Sequence, residues 1–291
     1  MDRKPWSPHG LALLDFLNGK TAAEVVVHDE HGETEVVSAR VFFREPEEFS
    51  ALEEAALDLC RGRVLDVGAG AGCHSLVLQE RQMPVCAIDV APEAVEVMRK
   101  RGVRNVRCVD VFGLQADPFD TLLMLMNGIG IVGSLAGLQR FLREAERLLA
   151  PDGQILLDSY DVGLDDSSGS AAGAASHSAG RYPGEMRFQL EYEGRRGPTL
   201  EWLFVDFKTL ADRAEGEGWL AEIIWQEEEG HYLARLRRTN STQSQRGTAG
   251  RSTLLGRTHG VDVRGTDMCR RSVGKRPLES DRMKTARVAA P

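Results

Sequence analysis

The residues best placed to do chemistry are acids set at strand ends and glycines set in a turn. Asp66-Val67-Gly68-Ala69-Gly70-Ala71-Gly72 follows an apolar run that begins at Val64, and an apolar-periodic stretch follows from Cys73. Glycines at alternate positions let a backbone turn sharply and approach a ligand closely. The helix that follows aims its free N–H groups at that ligand. Such a turn binds a nucleotide-like cofactor. A dinucleotide site needs G-x-G-x-x-G, and here Cys73 occupies the place of its third glycine. Asp89 lies about 20 residues beyond the turn, the spacing at which an acid reads ribose hydroxyls. Asp110 closes a further short apolar run.

These residues need a scaffold of alternating strands and helices. Val64 opens the first strand, and Pro84 to Ile88 forms a second that ends at Asp89. Pro92 then opens a helix over Glu93 to Lys100, since proline in a first helical turn loses no hydrogen bond. Val106 to Val109 reads as a third strand, and Phe119 to Met126 as a fourth, apolar enough to be covered on both faces. Leu138 to Leu149 is an amphipathic helix, Pro151-Asp152-Gly153 a turn and Gln154 to Leu157 a fifth strand. Trp219 to Trp225 and His231 to Leu236 flank the acidic turn 227–230 as a hairpin. Strand–helix alternation predicts an α/β, doubly wound, mostly parallel sheet with right-handed crossovers.

The D-x-G-x-G-x-G turn, the acid at Asp89 and the phrase Leu148-Leu149-Ala150-Pro151-Asp152-Gly153-Gln154-Ile155-Leu156-Leu157 resemble class I S-adenosylmethionine (SAM)-dependent methyltransferases. The resemblance runs from Glu47 to Arg238. It implies a seven-stranded sheet of order 3-2-1-4-5-7-6 and SAM as cofactor. By the same resemblance Asp89 holds the ribose, and Asp110 meets the adenine amino group. The cofactor-binding set so implied is Asp66, Gly68, Ala69, Gly70, Asp89, Val90, Asp110, Val111 and Asn127. An acid such as Asp66 suits the ammonium of the methionine end, and backbone amides suit its carboxylate. His74 has two readings, a contact to that carboxylate or an ordinary surface histidine.

Methyl transfer is an in-line displacement in which the cofactor brings the electrophile, so the protein mainly aligns two reactants. Asn127, Tyr160 and Asp161 follow the fourth and fifth strands, where an acceptor approaches, and are the candidates for orienting a nucleophile. No motif marks any of them as a base, so the catalytic residue is not fixed by the sequence. Asn127-Gly128-Ile129-Gly130 stands where DNA amino-methylating enzymes carry Asn-Pro-Pro-Tyr, which favours a small-molecule acceptor over a nucleobase. The alternatives are a SAM-binding protein without catalysis, a protein methyltransferase and a nicotinamide-dependent oxidoreductase.

The rest of the chain frames this domain, placed at 47–238. Segment 1–46 reads as a helix (Gly10 to Leu17) and a hairpin (Ala23 to Val27, Glu35 to Phe43), and a helix follows over Pro46 to Leu59. Phe43 and Arg44 are candidates for a lid over the cofactor, against core packing for Phe43 and a solvated Arg44. Within 163–205, a small-residue loop leads into an inserted hairpin formed by Met186 to Tyr192 and Leu200 to Val205. The stretch 239–291 reads as a basic, disordered tail. Residues 241–291 carry a net charge of +7 and no aromatic residue, and the other 240 residues carry −15. An acidic body disfavours nucleic acid as partner. No apolar run approaches a membrane span, and Met1 to Trp6 has no apolar core of a signal peptide. Five scattered cysteines (60, 73, 86, 108 and 269) without a C-x-x-C pair fit a reducing, cytoplasmic setting. His28 and His31 lack a third ligand nearby, so no metal is expected. The oligomeric state is not legible.

Overall fold

Two sheets meet above one edge of the glycine turn. The computed structural model describes residues 4–161, 181–227 and 230–239. The expected loop at 163–180, the tail at 240–291 and part of the acidic turn at 227–230 lie outside the described residues. The chain begins with a 3-10 turn, Lys4–Trp6, and helix α1, Ser7–Leu17, which starts earlier than expected because Pro8 sits in its first turn. Strands β1 (Glu24–Asp29) and β2 (Thr34–Ser38) form the first hairpin. The helix expected over 46–59 is broken. A 3-10 turn spans Pro46–Glu48, and α2 (Ala51–Leu59) starts afresh because Ser50 and Glu53 form a reciprocal capping box.

The alternating core follows: β3 (Val64–Val67), α3 (Cys73–Glu80), β4 (Val85–Asp89), α4 (Pro92–Arg101), β5 (Val106–Cys108), β6 (Phe119–Met124), α5 (Leu135–Leu148) and β7 (Leu149–Tyr160). β7 is longer than expected. Its pairing with β6 shifts register between Phe119 and Thr121, and the shift takes up the Pro151-Asp152-Gly153 turn inside the strand. The inserted segment gives β8 (Glu185–Tyr192), β9 (Arg195–Arg196) and β10 (Leu200–Leu203). A helix the sequence reading lacks, α6 (Phe207–Gly216), comes next, capped by Asp206 through Thr209 N. β11 (Trp219–Gln226) and β12 (His231–Arg238) complete the chain as described.

The main sheet has the order β5-β4-β3-β6-β7-β12-β11, which is the expected 3-2-1-4-5-7-6. β12 alone runs antiparallel to its neighbours. Strand side chains serve both faces alternately. Leu65, Leu122, Met124 and Ile155 pack beneath the α5 face of Leu138, Phe141, Leu142 and Ala145. Val64, Leu123 and Leu156 pack on the opposite face against Leu52 and Ala56 of α2 and Leu78 of α3. Each fully buried leucine contributes about 1.5–3 kcal/mol, so the sheet is fixed from both sides.

The two hairpins expected as separate features form one antiparallel sheet, β10-β8-β1-β2, with β9 on β8. β1 pairs with β8 from Val26↔Glu191 to Asp29↔Phe188. His28 Nε2 lies 2.9 Å from Glu191, so this histidine helps join the hairpins. β10 docks through Trp202, which is 1% exposed. A Cβ at Gly130 would sit 2.0 Å from the Trp202 indole. Gly130, in the loop after β6, is therefore the only residue type that admits this close approach.

Candidate active site

Parallel α/β sheets bind ligands at the carboxyl ends of their strands, where the loops leave room. Here that edge carries a cavity of about 500 Å³ and, beside it, a recess of about 20 Å³. Gly68 lines both. The glycines of the turn have different tasks. Gly68 and Gly70 hold φ of +70° and +55°, and a Cβ on either would enter open space. Gly72 is the packing glycine: a Cβ there would meet Val103 at 2.9 Å and Met98 at 3.0 Å.

Asp89, at the end of β4, is buried and is held by backbone donors. Its carboxylate accepts from Gly70 N at 3.0 Å and from Ala91 N at 2.8 Å. Burial raises its pKa to about 6, against the pull of these hydrogen bonds. It lines the cavity with Val90, Asp110 and Val111. Asp110 also caps the 3-10 turn Val111–Gly113 by accepting from Phe112 N at 3.0 Å.

The recess lies over a buried charge cluster. Asp66, 3% exposed, accepts from Ser75 Oγ at 2.6 Å. Burial pushes Asp66 up, opposed by the charge of His74 and by Ser75. His74 Nε2 lies 2.8 Å from Glu53 Oε1, and Arg44 grips Glu53 in a bidentate pair at 2.6 and 2.8 Å. For His74, burial opposes the imidazolium, but Cys73 and Glu53 outweigh it and hold the pKa well above the ordinary value. For Glu53, burial opposes the carboxylate, but His74 and Arg44 hold its pKa far below the usual range. The recess is therefore lined by the acid Asp66 and by His74, which is paired with Glu53, polar groups that suit an amino-acid end group.

Most residues read from the sequence come together here. Gly68, Asp89, Val90, Asp110 and Val111 line the cavity, and Asp66, Gly68, Ala69 and Gly70 line the recess. Asn127 lines neither. It follows Met126 of the recess wall, and the two residues hold φ of 56° and 60°. Asn127 N donates to Asp158 at 2.9 Å. Its side-chain amide is buried without a hydrogen-bond partner among the described residues. Tyr160 and Asp161 line neither space; Tyr160 stacks on His231 at 4.2 Å, and His231 bonds Asp158 at 2.7 Å.

Of the two lid candidates, Arg44 is paired with Glu53 and Phe43 packs against Phe16 at 4.6 Å, and neither lines the cavity. Pro5, Trp6 and His9 of the N-terminal segment line it instead, with Arg187, Thr199, Leu200 and Glu201 of the second sheet. No spacing rule could have found them, because they reach the site through packing between distant segments: α1 lies against α4, β1 pairs with β8, and Trp202 of β10 sits on Gly130.

A methyltransferase-domain family model matches residues 64–153. A solved SAM-dependent methyltransferase from Bacteroides fragilis, in complex with S-adenosyl-L-homocysteine (SAH), is 38% identical and superposes with a TM-score of 0.72, covering 81% of this chain and 97% of that one. A ubiquinone biosynthesis O-methyltransferase of Xanthomonas oryzae pv. oryzae is 33% identical over 115 residues, 37% of this chain and 46% of the relative. A release factor glutamine methyltransferase of Koribacter versatilis is 35% identical over 100 residues, 32% of this chain and 35% of the relative. The matched stretch spans less than half the length of either curated relative. At 38% identity over 97% of the Bacteroides protein, the chain belongs to the SAM-dependent methyltransferase family.

Proposed function

We propose that this protein binds SAM along the Gly68–Gly70 turn and transfers its methyl group to a small-molecule acceptor. One observation carries the reading: Gly68 is shared by a recess lined by Asp66 and His74 and a cavity lined by the acids Asp89 and Asp110. That layout fits a ligand with a zwitterionic end and a nucleoside end. The fit also rests on Gly68 and Gly70, whose missing Cβ atoms leave open space where a ligand would press on the backbone. In this reading Asp89 accepts from both ribose hydroxyls, Asp110 from the adenine amino group, and Val90 and Val111 enclose the ring. Ala69 and Gly70 supply backbone amides, and His74 and Asp66 face the carboxylate and the ammonium.

When bound, SAM supplies an electrophilic methyl on a sulfonium. The protein's part is alignment, because an in-line displacement gains mostly from holding the reactants in register. The test is turnover. The full chain incubated with SAM and a panel of small acceptors is expected to release SAH in an acceptor-dependent way. SAM binding without SAH release against any acceptor would instead support a SAM-binding protein without catalysis.

A further inference from the structure

The acceptor half of the cavity has a distinct chemistry. Trp6 and Leu200 wall it, and Trp6 is set edge-on against Trp202 at 5.7 Å, which is itself seated on Gly130. Those walls are apolar and rigid. Arg187 and Glu201 also reach the cavity, and their charged groups lie 3.7 Å apart, so each has its counter-charge. Asp89 and Asp110 belong to the nucleoside half.

Beside the exposed Thr199, His9 is the polar group left in the acceptor half. It lines the cavity and is 4% exposed. It packs edge-on against Phe42 at 4.6 Å, and Phe42 lines the recess. His9 therefore stands where cavity and recess adjoin, as Gly68 does from the opposite element. Its Nε2 is buried and has no hydrogen-bond partner among the described residues. Burial lowers its pKa to about 4, so the ring is neutral at physiological pH and carries one acceptor nitrogen. A buried polar atom without a partner carries a desolvation cost that a ligand can relieve.

We propose that the methyl acceptor is an uncharged aromatic molecule bearing a hydroxyl or N–H, and that His9 accepts the hydrogen bond from that group. A charged acceptor would lose its hydration against walls that hold no unpaired counter-charge, a loss that disfavours it strongly. An aromatic ring matches Trp6, whose face and edge favour offset or T-shaped contact. The proposal rests on the methyltransferase reading above.

The test uses the full chain saturated with SAH and three probes of similar size, phenol, benzoate and benzylamine, followed by ligand-observed NMR titration. Phenol is expected to bind, and both charged probes to bind at least tenfold more weakly. His9→Phe should weaken phenol by about three- to tenfold, the worth of one hydrogen bond, and His9→Gln should restore most of it. SAH affinity should stay within twofold in both variants. Benzoate or benzylamine binding as well as phenol overturns the proposal, as does absence of phenol binding or an unchanged phenol affinity in folded His9→Phe. The comparison of probes on the unaltered protein decides the matter if the variants do not fold. Failure of SAH itself to bind would strike the methyltransferase reading first, which separates the two failures.

Discussion

Asp89 ties cofactor binding to a proton. Its pKa stands near 6 in the ligand-free protein against 3.8 for an ordinary aspartate, a rise of about two units that costs about 3 kcal/mol when the group ionises. For an acid raised on folding, the folded state holds the proton more tightly between those two values. The ligand-free protein therefore gains stability as the pH falls through 6. Ribose hydroxyls act in the opposite direction, because they donate to the ionised carboxylate and each such bond is worth about 1.5–3 kcal/mol. Binding must then expel the proton wherever Asp89 still carries it. With a pKa near 6, SAH affinity should fall about tenfold between pH 7 and pH 5. Calorimetry in buffers of different ionisation enthalpy should register about half a proton released at pH 6. Asp89→Asn should bind weakly at every pH and show no release. A flat affinity from pH 7 to pH 5 in the unaltered protein would refute the argument.

Three further outcomes follow from the geometry. Glu53→Ala strips the partner from Arg44 and His74 in a buried cluster, a loss of about 3–5 kcal/mol, so Tm should drop by about 6–20 °C in a thermal melt. The His74 share of that stability is complete below the ordinary histidine pKa and fades as the pH rises through the raised value, so the gap between variant and parent should narrow on the alkaline side. Gly70→Val should abolish SAH binding while the protein stays folded, whereas Gly72→Val should lower Tm first, because its side chain meets Val103 and Met98; equal melting of the two would contradict this division. Gly130→Ala places a Cβ inside the Trp202 indole, so it should loosen the second sheet, visible as increased hydrogen exchange in β8 and β10, and unchanged protection would show the indole can yield.

The core of the fold was legible because its signals are local. The strands of the parallel sheet are short apolar runs, three of them carrying or followed by an acid (Asp66, Asp89 and Asp110), and α4 has a marked start at Pro92. The same locality exposed Asp66, Gly68, Asp89 and Asp110. What escaped depends on contacts between distant segments. His28 and Glu191 join two hairpins that nothing in the spacing links. Trp202 on Gly130 is a fit between surfaces, invisible to a pattern of residue types. Arg44 read as a lid or a solvated cation because the helix expected over 46–59 gave no sign that Glu53 on it would pair with Arg44 in a bidentate contact. Helix α6 had a readable signal, Asp206 capping Thr209 ahead of buried Leu210 and Ala214, but few apolar positions to announce it.

The most direct measurement of the central claim is a calorimetric titration of the full chain with SAH and, separately, with NAD, repeated on Asp89→Ala. Saturable binding of one SAH per chain is expected, with no NAD binding and at least a tenfold loss of SAH affinity in Asp89→Ala, since two charge-assisted hydrogen bonds go with the carboxylate. Saturable NAD binding without SAH binding, or an unchanged SAH affinity in a folded Asp89→Ala protein, would contradict it.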